Sequence, residues 1–175
     1  MGEWLEVDGS YGEGGGQIIR SSVSLSAITG KRVHIQNIRA KRAKPGLQNQ
    51  HLMAVTAAAE ICRAELRGAS VGSTELFFEP TAKPAAGKYR FDIKTAGAAN
   101  LVIQTVLTPL ALAGGESTVT VCGGTHNPMA PPAEYLEFVY LPALAPAGLD
   151  WSIEIPRHGF YPKGGGEVTV RFGLA

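Results

Sequence analysis

Ile38-Arg39-Ala40-Lys41-Arg42-Ala43-Lys44-Pro45-Gly46-Leu47-Gln48-Asn49-Gln50-His51-Leu52 is the joint from which the chain is best read. Upstream of it, residues 33–38 alternate apolar and polar side chains as a half-buried strand does. Downstream, residues 46–62 space Leu47, Met53, Val55, Ala58 and Ile61 as the inward stripe of a helix, with Pro45-Gly46 as the turn between. The joint also concentrates charge. No Asp or Glu lies between Gly14 and Ala59, whereas Arg20, Lys31, Arg32, Arg39, Lys41, Arg42 and Lys44 supply seven cations in a chain of formal net charge +1. Such a field attracts phosphate, of a nucleotide or of a nucleic-acid backbone; a solvated basic face is the plain alternative.

Working outward, residues 4–8 predict a strand, 9–16 a glycine-rich break, and 17–30 a helix. That helix turns Ile18, Ile19, Val23, Leu25 and Ile28 inward and ends at Gly30. Short strands are expected at 64–67 and 75–79. After a Pro/Gly-rich turn at 80–87 the same order returns: strand 89–94, helix 98–113 stopping at Gly114-Gly115, and strand 117–122. A helix over 132–145, interrupted at Pro142, and strands at 151–155 and 167–172 complete it. The expectation is an α/β (α+β) chain of two tandem β-α-β-α-β-β units, residues 1–84 and 85–175. An offset of 84 lays Ile18-Ile19-Arg20 on Val102-Ile103-Gln104 and Gly30 on Gly114, and a slightly larger one lays Lys44-Pro45 on Ala130-Pro131. Repeated element order with matching turn residues argues for an internal duplication.

Composition narrows the class. With 45% hydrophobic and 18% charged residues the chain is expected to be globular, and no apolar run reaches membrane-spanning length. The start, Met-Gly-Glu-Trp-Leu-Glu, has no basic or apolar signal character, so a cytoplasmic setting with no membrane partner is expected. Cys62 and Cys122 lie in apolar surroundings and read as reduced core residues. The four histidines lack metal-ligand spacing.

Four constellations carry chemistry. Gly12-Glu13-Gly14-Gly15-Gly16-Gln17, between a strand and a helix, either cradles an anion with backbone N–H groups or is only a flexible turn. Glu13 favours the cradle, because a carboxylate there can hold a ribose hydroxyl, a divalent ion or an arginine. In the basic joint, Arg39 and Arg42 offer paired N–H donors that lysine lacks, and His51 is either a phosphate donor or a hydrogen-bonded, partly buried histidine. Residues 123–132 form a glycine- and proline-shaped turn in which His126 has no carboxylate near it in sequence and reads as a loop residue. Arg157-His158-Gly159-Phe160-Tyr161-Pro162-Lys163-Gly164-Gly165-Gly166 is the most specific string in the chain. It suits a hairpin connection, yet carries more cations than a connection needs.

Taken together, the glycine loop with Glu13 and Arg20, the basic joint running to Gln50-His51, the turn from Gly-Gly-Thr to Ala-Pro-Pro and the Arg-His-Gly-Phe-Tyr-Pro-x-Gly-Gly-Gly string resemble the RNA 3'-terminal phosphate cyclase family, over nearly the whole chain. The resemblance implies repeats like the C-terminal domain of translation initiation factor 3. It also implies an ATP-dependent enzyme that turns an RNA 3'-phosphate into a 2',3'-cyclic phosphodiester through an adenylylated histidine, with a divalent metal (Mg or Mn). By similarity Glu13, Arg20, Arg39, Arg42, Gln50, His51, Gln104 and Pro131 would line the nucleotide and RNA-phosphate pocket, Glu13 also being the candidate metal ligand.

The family pattern continues with a third repeat, an inserted domain and the adenylated histidine, none of which matches this sequence. The chain is therefore expected to bind ATP and RNA 3'-phosphate ends without carrying the nucleophile, and to self-associate or take a partner chain that supplies the rest. A non-catalytic RNA-binding ribosome-assembly factor of the same family is the alternative.

Overall fold

The computed structural model describes residues 3–174. The chain falls into two compact units, Met1–Pro84 and Ala85–Ala175.

In the first unit, β1 (Leu5–Asp8), α1 (Gly16–Thr29), β2 (Val33–Gln36), α2 (Asn49–Cys62), β3 (Glu65–Arg67) and β4 (Leu76–Glu79) follow in order. The sheet runs β1-β2-β4-β3, with β1 and β2 parallel and the other two pairs antiparallel. Strand alternation sends Val33 and Ile35 of β2, and Leu76 and Phe78 of β4, into one core with Ile19, Val23 and Ala27 of α1 and Val55, Ala58 and Cys62 of α2. Each large apolar side chain so buried stabilises the unit by roughly 1.5–3 kcal/mol before entropy is counted. α1 stops where Gly30 adopts φ 70° and its N–H donates to the Ser26 carbonyl, as its sequence predicts.

Three local expectations are corrected here. Leu25 is exposed, because the inward stripe of α1 runs through Ile19, Val23, Ser26 and Ala27. Met53 is only half-buried. The second helix starts at Asn49, not Gly46. Leu47 uses its backbone on residues 72 and 73, donating to the Ser73 carbonyl (2.9 Å) and accepting from the Gly72 N–H (2.7 Å), so it enters the core from a strap.

The second unit holds β5 (Lys88–Asp92), α3 (Ala99–Ala111), β6 (Ser117–Gly123), a composite helix α4 (133–147), β7 (Leu149–Arg157) and β8 (Gly166–Leu174). Its sheet runs β5-β6-β8-β7, one parallel pair followed by two antiparallel pairs, the same order and senses as in the first unit. α3 is buried along nearly its whole length and ends two residues short of the expected Ala113.

α4 is not one helix broken at Pro142. It opens with a short α-turn (Ala133–Tyr135), widens into a π-turn (Leu136–Tyr140), resumes as α (Leu141–Leu144) and tightens to 3-10 (Ala145–Ala147). Pro142 offers no N–H to the turn before it, and the widened turn takes up that defect ahead of the proline. β7 and β8 each reach nine residues, longer than expected, with their register shifting between Glu154 and Arg157, where Pro156 has no N–H for the ladder. Cys122 is not a core residue. β6 alternates Val119 and Val121 inward, leaving the Cys122 thiol among polar groups, 3.1 Å from Arg90 Nη2 and 3.4 Å from Glu167 Oε2. Cys62 is buried and free, and burial pushes its thiol up to about 11. No helix among the described residues is long and apolar enough to cross a membrane.

Candidate functional site

The glycine loop and the basic joint meet in the first unit, where α1 begins. Gly9 lies against the backbone of residues 36 and 38, where a Cβ would come within 2.8 Å of the Gln36 carbonyl oxygen, so the chain leaving β1 is pressed onto the end of β2. Gly12 and Gly14 take left-handed backbone, φ 58° and 60°, which lets the loop turn into the helix within a few residues. Gly16, the first residue of α1, lies against two side chains from other turns. A Cβ there would lie 2.2 Å from His51 Nε2 and 3.0 Å from Arg20 Nη1. The bare Cα thus lets a guanidinium and an imidazole pack against the first turn of a helix whose N–H groups have no intrahelical partner.

His51 is held in one protonation state. It is buried, in the first turn of α2, and the Gln48 backbone N–H donates to its Nδ1 (3.1 Å). With Nδ1 accepting, the neutral ring carries its proton on Nε2, the atom beside Gly16. Burial, then the charges of Arg39 and Arg20, lower the His51 pKa to about 4, so at neutral pH it is a neutral donor. The sequence left open a phosphate donor or a hydrogen-bonded buried histidine, and the structure shows the buried, hydrogen-bonded ring.

Arg20 is half-buried on the second turn of α1 and makes no hydrogen bond or ion pair among the described residues. Burial lowers its pKa, although a guanidinium keeps its charge at any ordinary pH. A partly desolvated cation without an anion is costly, and the acceptor that would relieve it is a phosphate-like oxygen. Arg42 reaches the same loop, 3.5 Å through Nη2 from Glu13 Oε2, and the place of a Cβ on Gly15 is 3.5 Å from that same nitrogen. The Glu13 side chain is 89% exposed, so this pair is loose and contributes little. Lys41 Nζ donates to the Gly12 carbonyl at 3.4 Å.

Arg39 has another task. Its φ is 55°, and Nη1 donates to the carbonyls of Lys44 and of Gly46, the latter at 3.0 Å, closing the basic joint on itself. Its influence on His51 is a field rather than a contact. Gln50 is half-buried in the first turn of α2. Glu13, Arg20, Arg39, Arg42, Gln50 and His51 therefore belong to one region of the first unit. Gln104 and Pro131 lie in the second. Gln104 is half-buried on the second turn of α3, and the Pro131 carbonyl accepts from Asn100 Nδ2 at 2.8 Å.

A cluster in the second unit was not legible in the sequence. His126 does have a carboxylate: Nε2 lies 2.9 Å from Glu134 Oε2, while Nδ1 is 2.8 Å from the Thr125 hydroxyl. His158 Nε2 is 3.4 Å from the other Glu134 oxygen. The reading of His126 as a bare loop residue is thereby corrected. The turn through Pro128 and Pro131 folds the first turn of α4 back onto the loop it leaves, and a glutamate at a helix start was the available signal. Glu134 is held below its ordinary value by its own backbone N–H first, and then, against some burial, by His126 and His158.

Among the described residues no three His, Cys, Asp or Glu side chains form a metal cluster. Glu13 alone offers one hard oxygen, the number Mg²⁺ commonly takes from protein when phosphates and water fill its other positions.

A sequence profile described as RNA 3'-terminal phosphate cyclase matches residues 11–174. The chain is 53% identical over 172 residues to an RNA 3'-terminal phosphate cyclase of Gloeothece citriformis, covering 95% of this chain and 49% of that protein. It is 56% identical over 165 residues to one of Ignicoccus hospitalis (94% and 46%), and 53% identical over 172 residues to one of Methylococcus capsulatus (95% and 48%). The chain spans about half the length of the curated relatives it matches.

Proposed function

Since the chain belongs to the RNA 3'-terminal phosphate cyclase family, we propose that it supplies the nucleotide- and RNA-end-binding part of an ATP-dependent RNA 3'-phosphate cyclase. The observation that carries this reading is Arg20: a half-buried guanidinium with no anion among the described residues, beside Gly16 together with the Nε2 of a histidine held neutral. Neutral donor and cation together suit a phosphoryl oxygen in any charge state, and the first-turn N–H groups of α1 add to them.

In the reaction, ATP loses pyrophosphate as AMP passes to the histidine nucleophile; that P–N bond then breaks as an RNA 3'-phosphate oxygen takes the AMP, giving an RNA–phosphate–adenylate anhydride. The vicinal 2'-hydroxyl then attacks that phosphorus, its proton leaves, and AMP departs with the electrons of the broken P–O bond. Each step shifts negative charge among non-bridging oxygens. Arg20, Arg42 and His51 are the groups of the first unit suited to steady that charge, with Gln50 assigned beside them through the resemblance, which also assigns Gln104 and Pro131 of the second unit to nucleotide or phosphate binding. Arg39 acts through the loop it closes. Glu13 would hold Mg or Mn, which supplies Lewis-acid polarisation of a bound phosphate. No histidine of the chain is assigned as the adenylated nucleophile. The two units are read as tandem repeats like the translation initiation factor 3 C-terminal domain. A cytoplasmic setting fits the two free thiols, and exposed Phe138 and Val139 on α4 suit self-association or a partner chain.

Calorimetric titration with ATP and with one oligoribonucleotide ending in either a 3'-phosphate or a 3'-hydroxyl tests the reading. ATP should bind, and the 3'-phosphate should tighten oligonucleotide binding at least about tenfold, the worth of one charge-assisted pair. Radiolabelled ATP should leave no covalent AMP on this chain. Equal affinity for the two ends, with no ATP binding, would favour the assembly-factor alternative.

A further inference from the structure

Phe160 and Tyr161 are 59% and 73% exposed, adjacent on the connection between β7 and β8. Two aromatic side chains held in water forgo the burial that normally stabilises them, and the backbone beneath them has little freedom to tuck them in. A Cβ on Gly159 would meet the Gly166 nitrogen at 2.3 Å and the Gly123 carbonyl oxygen at 2.4 Å. One on Gly164, at φ 70°, would meet the Thr95 carbonyl oxygen at 2.7 Å. The Gly164 N–H donates to the Phe160 carbonyl (2.8 Å), while the Thr125 and His126 N–H groups both donate to Gly159 (2.8 and 3.2 Å). The connection is thus pinned to the end of β6 and to the approach to α3. The ring of Phe160 rests on His126, centroids 5.0 Å apart and planes 26° apart, and His126 is held by Thr125 and Glu134.

The connection itself carries cations: residues 155–166 contain Arg157 and Lys163 and no carboxylate, while Glu134 is engaged with both histidines and Glu167, at the start of β8, with Arg90. Flat rings among cations match a polyanion that carries flat rings of its own.

We propose that Phe160 and Tyr161 form a stacking platform for the bases of single-stranded RNA, with Arg157 and Lys163 drawing in its phosphates. The proposal rests on the RNA-end reading above and adds contacts with the bases to it. Stacking is tolerant of base identity, since every base has a π face, so the platform adds affinity without sequence preference.

The test uses a 3'-phosphorylated oligoribonucleotide of about ten residues with a 2-aminopurine near its end, together with ATP and uridine 3'-phosphate. Wild-type protein should bind the oligomer more tightly than uridine 3'-phosphate and quench the 2-aminopurine. Phe160→Leu and Tyr161→Leu, with circular dichroism unchanged, should each weaken oligomer binding about tenfold and diminish the quenching, leaving both small ligands at wild-type affinity; Phe160→Trp should retain the quenching. Unaltered oligomer affinity and quenching in both leucine variants would overturn the platform while leaving the end-binding reading intact. An oligomer bound no better than uridine 3'-phosphate would overturn it too, and would point to a protein partner for these rings. Loss of quenching in the leucine variants alongside equal affinity for 3'-phosphate and 3'-hydroxyl oligomers would keep the platform and remove the end-binding reading.

Discussion

Gly16 and His51 stand so close that a methyl group on the glycine would sit 2.2 Å from the imidazole Nε2. That histidine is buried and anchored through Nδ1 to the Gln48 N–H, so it has little room to withdraw. Gly16→Ala should cost about 1–3 kcal/mol by overpacking, although alanine is the better helix former. It should also lower ATP affinity at least about tenfold by displacing the Nε2 donor. Urea unfolding and calorimetric titration on the same sample check the pair; a variant with unaltered ATP affinity would remove the Gly16–His51 contact from the site.

Arg20 should separate stability from binding. Its guanidinium is half-buried without an acceptor among the described residues, so Arg20→Met keeps the apolar stem and relieves the desolvated charge. The free protein should be as stable as wild type, or more stable by up to about 1 kcal/mol, while affinity for ATP or an RNA 3'-phosphate falls about tenfold or more. Arg42→Ala should weaken binding without loss of stability, because its contact with Glu13 is long and exposed. A large stability loss in Arg20→Met would show that the guanidinium is a structural group.

The His51 ring predicts an acid-sensitive fold. Its pKa is about 4 when folded and near 6.5 in the unfolded chain, so between these values the unfolded state binds more protons and stability rises with pH. The stabilising difference is fully present above the unfolded value and is lost as pH falls from about 6.5 toward 4. Between pH 7 and pH 5 this one group accounts for about 2 kcal/mol. Denaturant titrations at the two pH values, on wild type and on His51→Gln, should show that the variant lacks this part of the dependence; identical pH slopes would place the sensitivity elsewhere.

Glu134 joins the loop of His126 to that of His158, and its effect is small because both pairs are partly open to water. Glu134→Gln should lower stability by at most about 1 kcal/mol, while freeing both imidazoles. Since the folded state depresses the Glu134 pKa, its contribution is present above the ordinary glutamate range and fades as pH falls through it. Denaturant titrations at about pH 7 and about pH 3 should show the variant losing less stability on acidification than wild type. Equal losses would mean that the bridging carboxylate contributes nothing to the fold.

Much of the architecture was legible because it is local. The alternation at Val33 to Gln36, the stop at Gly30 and the strand at Ser117 to Gly123 follow from side-chain period and from the left-handed backbone that glycine permits. The misreadings arose where a distant segment took over a backbone or a face. Leu47 gave its backbone to residues 72 and 73 instead of to a helix, and Leu25 was turned to solvent by the way α1 lies on the sheet. Pro142 was visible as an irregularity, but not that the turn before it would widen.

The cations, the glycine loop and the histidines of this protein were determined by the sequence alone, because charge and backbone freedom belong to each residue wherever it lies. Their division of labour was decided only when the helices packed. Arg39 turned inward to close its own loop, Arg20 found no partner among the described residues, His51 had its proton fixed on Nε2, and Glu134 was brought to His126. Those outcomes depend on contacts between residues far apart in the chain, whose distances are set by how elements pack and not by any period along the sequence.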